Sequence, residues 1–105
     1  MFALDKENFQ SEVLESTEKV LVFFSGDGWA PCEAIKPFVE GCAEKYGSQL
    51  RFALLNTTSA KRLAMSQKVM GLPTIVVYQN GEKVETLSKD SVSEASVVEL
   101  IEKHI

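Results

Sequence analysis

A chain of 105 residues is long enough for one core and too short for two, and its 45% apolar and 25% charged residues are the proportions of an ordinary soluble globular protein. The net charge of −4, with acidic and basic residues interspersed, argues against nucleic acid as a partner, because phosphate binding asks for a basic stripe. The longest apolar run, Val20–Phe24, is far too short to span a bilayer, and MFALDKENF lacks the basic start and apolar body of a secretion signal, so no membrane and a cytoplasmic location are expected.

Met1–Leu4 can open the chain as a short strand. Asp5 is a plausible cap for a helix through about Ser16, with Phe9, Val13 and Leu14 on its apolar side. Lys19–Ser25, KVLVFFS, is β-branched and aromatic without helical gaps, which predicts a strand buried on both faces at the centre of a sheet. After a turn at Gly26–Pro31 the period changes. Ile35, Phe38, Val39, Cys42, Ala43 and Tyr46 fall on one helical face; Pro37 lies inside that helix, and Gly47 is its natural stop.

Leu50–Asn56 predicts a second core strand, and Thr58 or Ser59 can cap a helix through about Val69. LPTIVVYQNGEKVETLS then gives two strands joined at Asn80-Gly81, the strongest short hairpin signal. Ser91 and Glu94 are spaced as a capping box for a last helix presenting Val97, Val98, Ile101 and Ile105. The order βαβαβαββα predicts one α/β domain over residues 1–105, a central mixed sheet flanked by four helices.

Two cysteines are too few for a disulfide framework. Cys32 and Cys42 are ten residues apart; on one helix that is about 15 Å, against the roughly 7 Å between Cα atoms that a disulfide tolerates, so the two are not expected to pair. Cys42 fits core packing. His104 stands alone near the C-terminus, and no His, Cys and Asp cluster has metal-ligand spacing, so neither metal nor cofactor is expected. Met65 and Met70 are read as filling core or groove edges, and Trp29 as either a surface aromatic or a partner contact.

The element order, APCEAIKPF at the start of a kinked helix and GLPTIVVYQNGEKV some forty residues later together resemble the thioredoxin family across essentially the whole chain. NTTSAKRLAMSQKVMGLPT and Gly28 are most similar to thioredoxins of amino-acid-fermenting anaerobic bacteria. The resemblance implies a redox protein that exchanges thiols and disulfides and donates electrons, with a Trp-Cys-Gly-Pro-Cys turn. Aligned without a gap on Pro31-Cys32, the family's tryptophan falls at Gly28, its attacking cysteine at Trp29, its glycine at Ala30 and its resolving cysteine at Cys32. An alternative matches Trp29 to the family tryptophan and deletes one residue, but the ungapped version fits the distance back to VLVFF. An indole has no thiolate to attack with, so Cys32 is left with nothing to resolve.

The family's buried aspartate falls at Phe23 and its lysine at Leu54, which removes the base and its partner together. A buried Cys32 should then have a raised pKa, and Glu33 beside it pushes the same way. Pro73 matches the family's cis-proline. Gly71, Leu72, Pro73 and Thr74 would form a docking groove, with Gly28, Trp29, Ala30 and Pro31 across from them.

Three readings result. The first is a thioredoxin-like monomer with a degenerate WAPC turn, defective in dithiol reduction and at most forming mixed disulfides through Cys32. Its partners would be disulfide proteins and a thioredoxin reductase. The second is a non-catalytic binding module that docks a protein at the Trp29/Pro73 groove, with Cys32 inert. In the third, Trp29 is an engineered change or a selenocysteine UGA codon read as the neighbouring UGG of tryptophan.

Overall fold

A computed structural model describes residues 1–105. Five strands form its sheet: β1 (Phe2–Leu4), β2 (Val20–Ser25), β3 (Arg51–Asn56), β4 (Thr74–Gln79) and β5 (Glu82–Ser88). They lie in the order β1-β3-β2-β4-β5. β1 and β2 both run parallel to β3, whereas β4 runs antiparallel to β2 and to β5, so the sheet is mixed and β2 is central.

Along β2 the side chains alternate between two cores, as a period of two requires. Val20, Val22 and Phe24 face one side with Phe9, Val13, Leu55, Ala64 and Tyr78. Leu21 and Phe23 face the other with Cys32, Val39, Cys42, Leu100 and Ile101. The helices α1 (Ala30–Tyr46) and α3 (Glu94–Lys103) cover this second face, and the short α2 (Lys61–Ser66) covers the first.

Several local expectations change in the folded chain. Asp5 does cap its segment, its Oδ1 accepting from the Glu7 and Asn8 N–H groups at 2.9 and 2.8 Å. The segment beyond it is a π-helical turn at Gln10–Leu14, not a helix to Ser16, so the fourth flanking helix is one turn long. Burial holds this segment: Phe9 and Val13 are enclosed, and Phe9 meets Tyr78 edge-on at 5.9 Å.

Before α2, Thr58 and Ser59 enter a 3-10 turn whose cap is Asn56, the Asn56 Oδ1 accepting from the Thr58 N–H at 3.0 Å. The helix itself begins from Ala60 without a side-chain cap, and it stops at Ser66 because Lys68 adopts φ +62.

The last helix is capped by Ser93 and Ser96, not by Ser91 and Glu94. Ser91 is already committed to a 3-10 turn at Lys89–Ser91, its hydroxyl bonded to the Ser88 backbone. Starting two residues later turns Val97, Leu100 and Ile101 inward; Val98 is half-buried, and Ile105 lies beyond the helix end, exposed. The Asn80-Gly81 turn forms as expected, with φ +53 and +78.

Candidate functional site

The C-terminal end of β2 delivers the Gly26–Trp29 turn to the top of the sheet, and polar groups stitch it to the β3–α2 connection. The Asp27 N–H donates to Thr58 Oγ1 at 2.9 Å, and Asn56 Nδ2 donates to Asp27 Oδ1 at 2.7 Å. Below them the Thr57 hydroxyl donates to the Ser25 carbonyl at 2.9 Å. Gly26 is closely confined, since a Cβ there would sit 2.8 Å from Leu72 Cδ1. Gly28 takes φ +69 in open space.

Trp29 is the last extended residue. Its carbonyl accepts from the Cys32 and Glu33 N–H groups at 3.0 and 3.1 Å and so starts α1. Pro31 sits in the first helical turn, where its missing N–H costs nothing. Cys32 therefore points inward and is 2% exposed. Burial raises its thiol pKa; a backbone hydrogen bond from Gly26 opposes this, and the neighbouring Glu33 carboxylate adds to it.

Cys42 is buried further along α1, and both cysteines are free. Its pKa is likewise raised by burial. Phe23 is fully buried and pairs in register with half-buried Leu54, so these two positions are adjacent and apolar.

Facing the turn is the Gly71–Thr74 segment, with the Leu72–Pro73 bond cis. Each of its first three carbonyls is engaged. Gly71 O accepts from the Thr74 hydroxyl at 2.6 Å, and Pro73 O accepts from the Lys89 N–H at 2.8 Å. Leu72 O accepts from the Trp29 indole Nε1–H at 3.1 Å. Trp29 is thus tied directly across to the residue before the cis-proline.

Beside the indole runs a groove of about 340 Å³, walled by Trp29, Ala64, Met65, Met70 and Leu72, with Lys61 as its one charged lining residue. Of the expected docking residues, Trp29, Gly71 and Leu72 line it. Gly28, Ala30 and Pro31 are exposed on the adjoining turn, and Pro73 and Thr74 are buried behind. Thr57, Lys61, Ala64 and Val69 also line the groove; all four lie in NTTSAKRLAMSQKVMGLPT, the stretch singled out for its resemblance but not read as groove lining.

His104 is not isolated. Its Nε2 lies 3.1 Å from Glu85 Oε1, while Lys103 Nζ meets Glu85 Oε2 at 3.2 Å. No helix is long and apolar enough to cross a membrane.

A family model described as Thioredoxin matches residues 1–103. The chain is 45% identical to a thioredoxin of Acetoanaerobium sticklandii over 105 residues, the whole of both chains. With a thioredoxin of Peptoclostridium acidaminophilum the identity is 47% over 102 residues, 97% of this chain and 93% of the relative. A chloroplastic M-type thioredoxin of Chlamydomonas reinhardtii is 34% identical over 103 residues, 98% of this chain and 73% of that one. On the sheet order, the cis-proline facing the turn and these full-length matches, the chain belongs to the thioredoxin family.

Proposed function

We propose that this thioredoxin-family protein keeps the docking groove and the resolving-thiol position but does not run the two-thiol cycle. Dithiol–disulfide reduction is defective, and the remaining chemistry is a mixed disulfide through Cys32. One observation carries this reading: the turn holds a single sulfur, Cys32, with an indole three residues before it and the other thiol ten residues further along α1.

In such a reaction the Cys32 thiolate attacks one sulfur of a partner's disulfide. The partner's S–S bond breaks, a new S–S bond forms to Cys32, and the departing thiolate takes up a proton. No second thiol is in reach to expel the product, so release needs an outside thiol that attacks the mixed disulfide and becomes oxidised in turn. Disulfide proteins and a thioredoxin-type reductase are the partners this reading assigns.

Insulin reduction with dithiothreitol as donor is the test. The expected rate is that of dithiothreitol alone; a rate well above it overturns the proposal. Mass spectrometry after a disulfide challenge then separates a reactive Cys32, which carries an adduct, from an inert one.

The bond from Trp29 to Leu72 favours a second reading, a binding module without chemistry. Replacing Trp29 by alanine should then abolish partner capture while the circular dichroism stays unchanged, and undiminished capture counts against it. That relatives matched end to end are named thioredoxins favours a third, in which residue 29 is an engineered or misread position. A UGG codon at position 29 in the source gene ends that reading.

A further inference from the structure

We propose that the groove beside Trp29 takes an extended peptide that sets an apolar side chain next to a carboxylate. This rests on the docking reading above and assigns the chemistry of the partner.

The apolar half of the requirement comes from exposure. Trp29, Met65 and Met70 are 49%, 64% and 78% exposed, three of the five large hydrophobic residues left on the surface, and all three wall one groove. Its 340 Å³ is of the size that takes small ligands and side chains. Two thioethers adapt to many shapes, so these walls favour an apolar side chain without dictating which one.

The carboxylate half comes from charge and from hydrogen-bonding sense. The chain carries 15 acidic against 11 basic residues, yet none of the carboxylates lines the groove and Lys61 does. Along the adjoining segment the Gly71, Leu72 and Pro73 carbonyls are all occupied, while the Met70, Gly71 and Leu72 N–H groups have no partner within the chain. With three N–H groups free and the Gly71, Leu72 and Pro73 carbonyls engaged, this wall favours acceptor atoms, namely peptide carbonyls and carboxylate oxygens. With Lys61 in the lining and no carboxylate there, the anion is preferred.

Trp29 is the only tryptophan, so its emission reports on the groove directly. The probes are three acetylated, amidated heptapeptides free of cysteine and tryptophan. One centres on leucine beside aspartate, the second puts lysine for the aspartate, and the third puts alanine for the leucine. The first should shift Trp29 emission and move the amide resonances of Met65, Met70, Gly71 and Leu72; the other two should bind about tenfold more weakly. The variant Lys61→Glu should reverse the preference between the first two peptides, an exchange that a structural role for the lysine would not produce.

Equal binding of the aspartate and lysine peptides overturns the inference while the docking reading stands. If no peptide perturbs these residues at millimolar concentration, the docking reading falls with it. Groove resonances that move with protein concentration alone make a second copy of the chain the occupant, and also overturn the inference.

Discussion

Placing an acidic group in the core by Phe23→Asp shows what an apolar side chain there does for this fold. Phe23 is wholly buried in an apolar cluster whose other members include Cys32, Val39 and Ile75. Phe23→Ala is the control and should cost about 3–5 kcal/mol through lost burial and the cavity left behind. The aspartate adds an unpaired carboxyl, about 1–3 kcal/mol more even when protonated.

Desolvation lifts the folded-state pKa of that carboxyl above the roughly 4 of the unfolded chain. The unfolded state therefore releases the proton first as pH rises. The gap between the aspartate and alanine variants should widen above about pH 4, by up to about 1.4 kcal/mol per pH unit, until the folded pKa is reached. Against a total stability of about 5–15 kcal/mol this leaves little margin. The double variant Phe23→Asp with Leu54→Lys supplies a cation at the half-buried, in-register neighbour and should recover about 1–3 kcal/mol. Urea denaturation followed by circular dichroism at pH 5 and pH 7.5 measures all four proteins. An aspartate variant that matches the alanine control at both pH values refutes the reasoning.

Glycine substitutions separate backbone strain from collision. Gly28→Ala should cost about 1 kcal/mol, because φ +69 is strained but the space is open. Gly81→Ala, at φ +78 with its new Cβ driven into the Leu14 carbonyl, should cost at least about 2 kcal/mol; equal losses in denaturation would contradict this. The Glu85 pKa is lowered, first by its hydrogen bond with His104 and then by that with Lys103. Its contribution is thus present above the unfolded carboxyl pKa and lost as pH falls through the folded one. Glu85→Gln should lower stability by no more than about 1 kcal/mol near neutrality, the difference vanishing in acid and shrinking in salt; a gap that grows in acid would reverse the sign. Trp29→Cys should form a disulfide with Cys32 on mild oxidation and raise insulin reduction above the parent's. A variant that stays fully reduced by mass would show that the turn cannot bring the two sulfurs together.

How much of the fold is legible in the sequence depends on how local each signal is. β2 and the Asn80-Gly81 turn are written in contiguous residues, a run of five buried apolar side chains and a dipeptide that accepts positive φ, and both form as read. Residue spacing misplaces the last cap at Ser91 because four serines lie within nine residues, and the choice among them depends on which hydroxyl the preceding turn consumes. α2 ends early, at Ser66, because Lys68 two residues on takes positive φ, and Lys68 carries no stop signal of its own. At the site, the turn and the cis-proline are identifiable from motif residues. The bond from the Trp29 indole to the Leu72 carbonyl joins positions 43 residues apart and depends on a rotamer, so no spacing rule could supply it.

The two walls of the groove hang from very different supports. One is the turn at the end of β2, a strand paired on both edges and packed on both faces, whose amides should exchange with solvent among the slowest in the molecule. The other is a six-residue helix without a side-chain cap, carrying an exposed methionine. Local opening belongs to that second wall. On the docking reading proposed above, a segment too bulky for the groove would be admitted by displacing α2 while the turn held still.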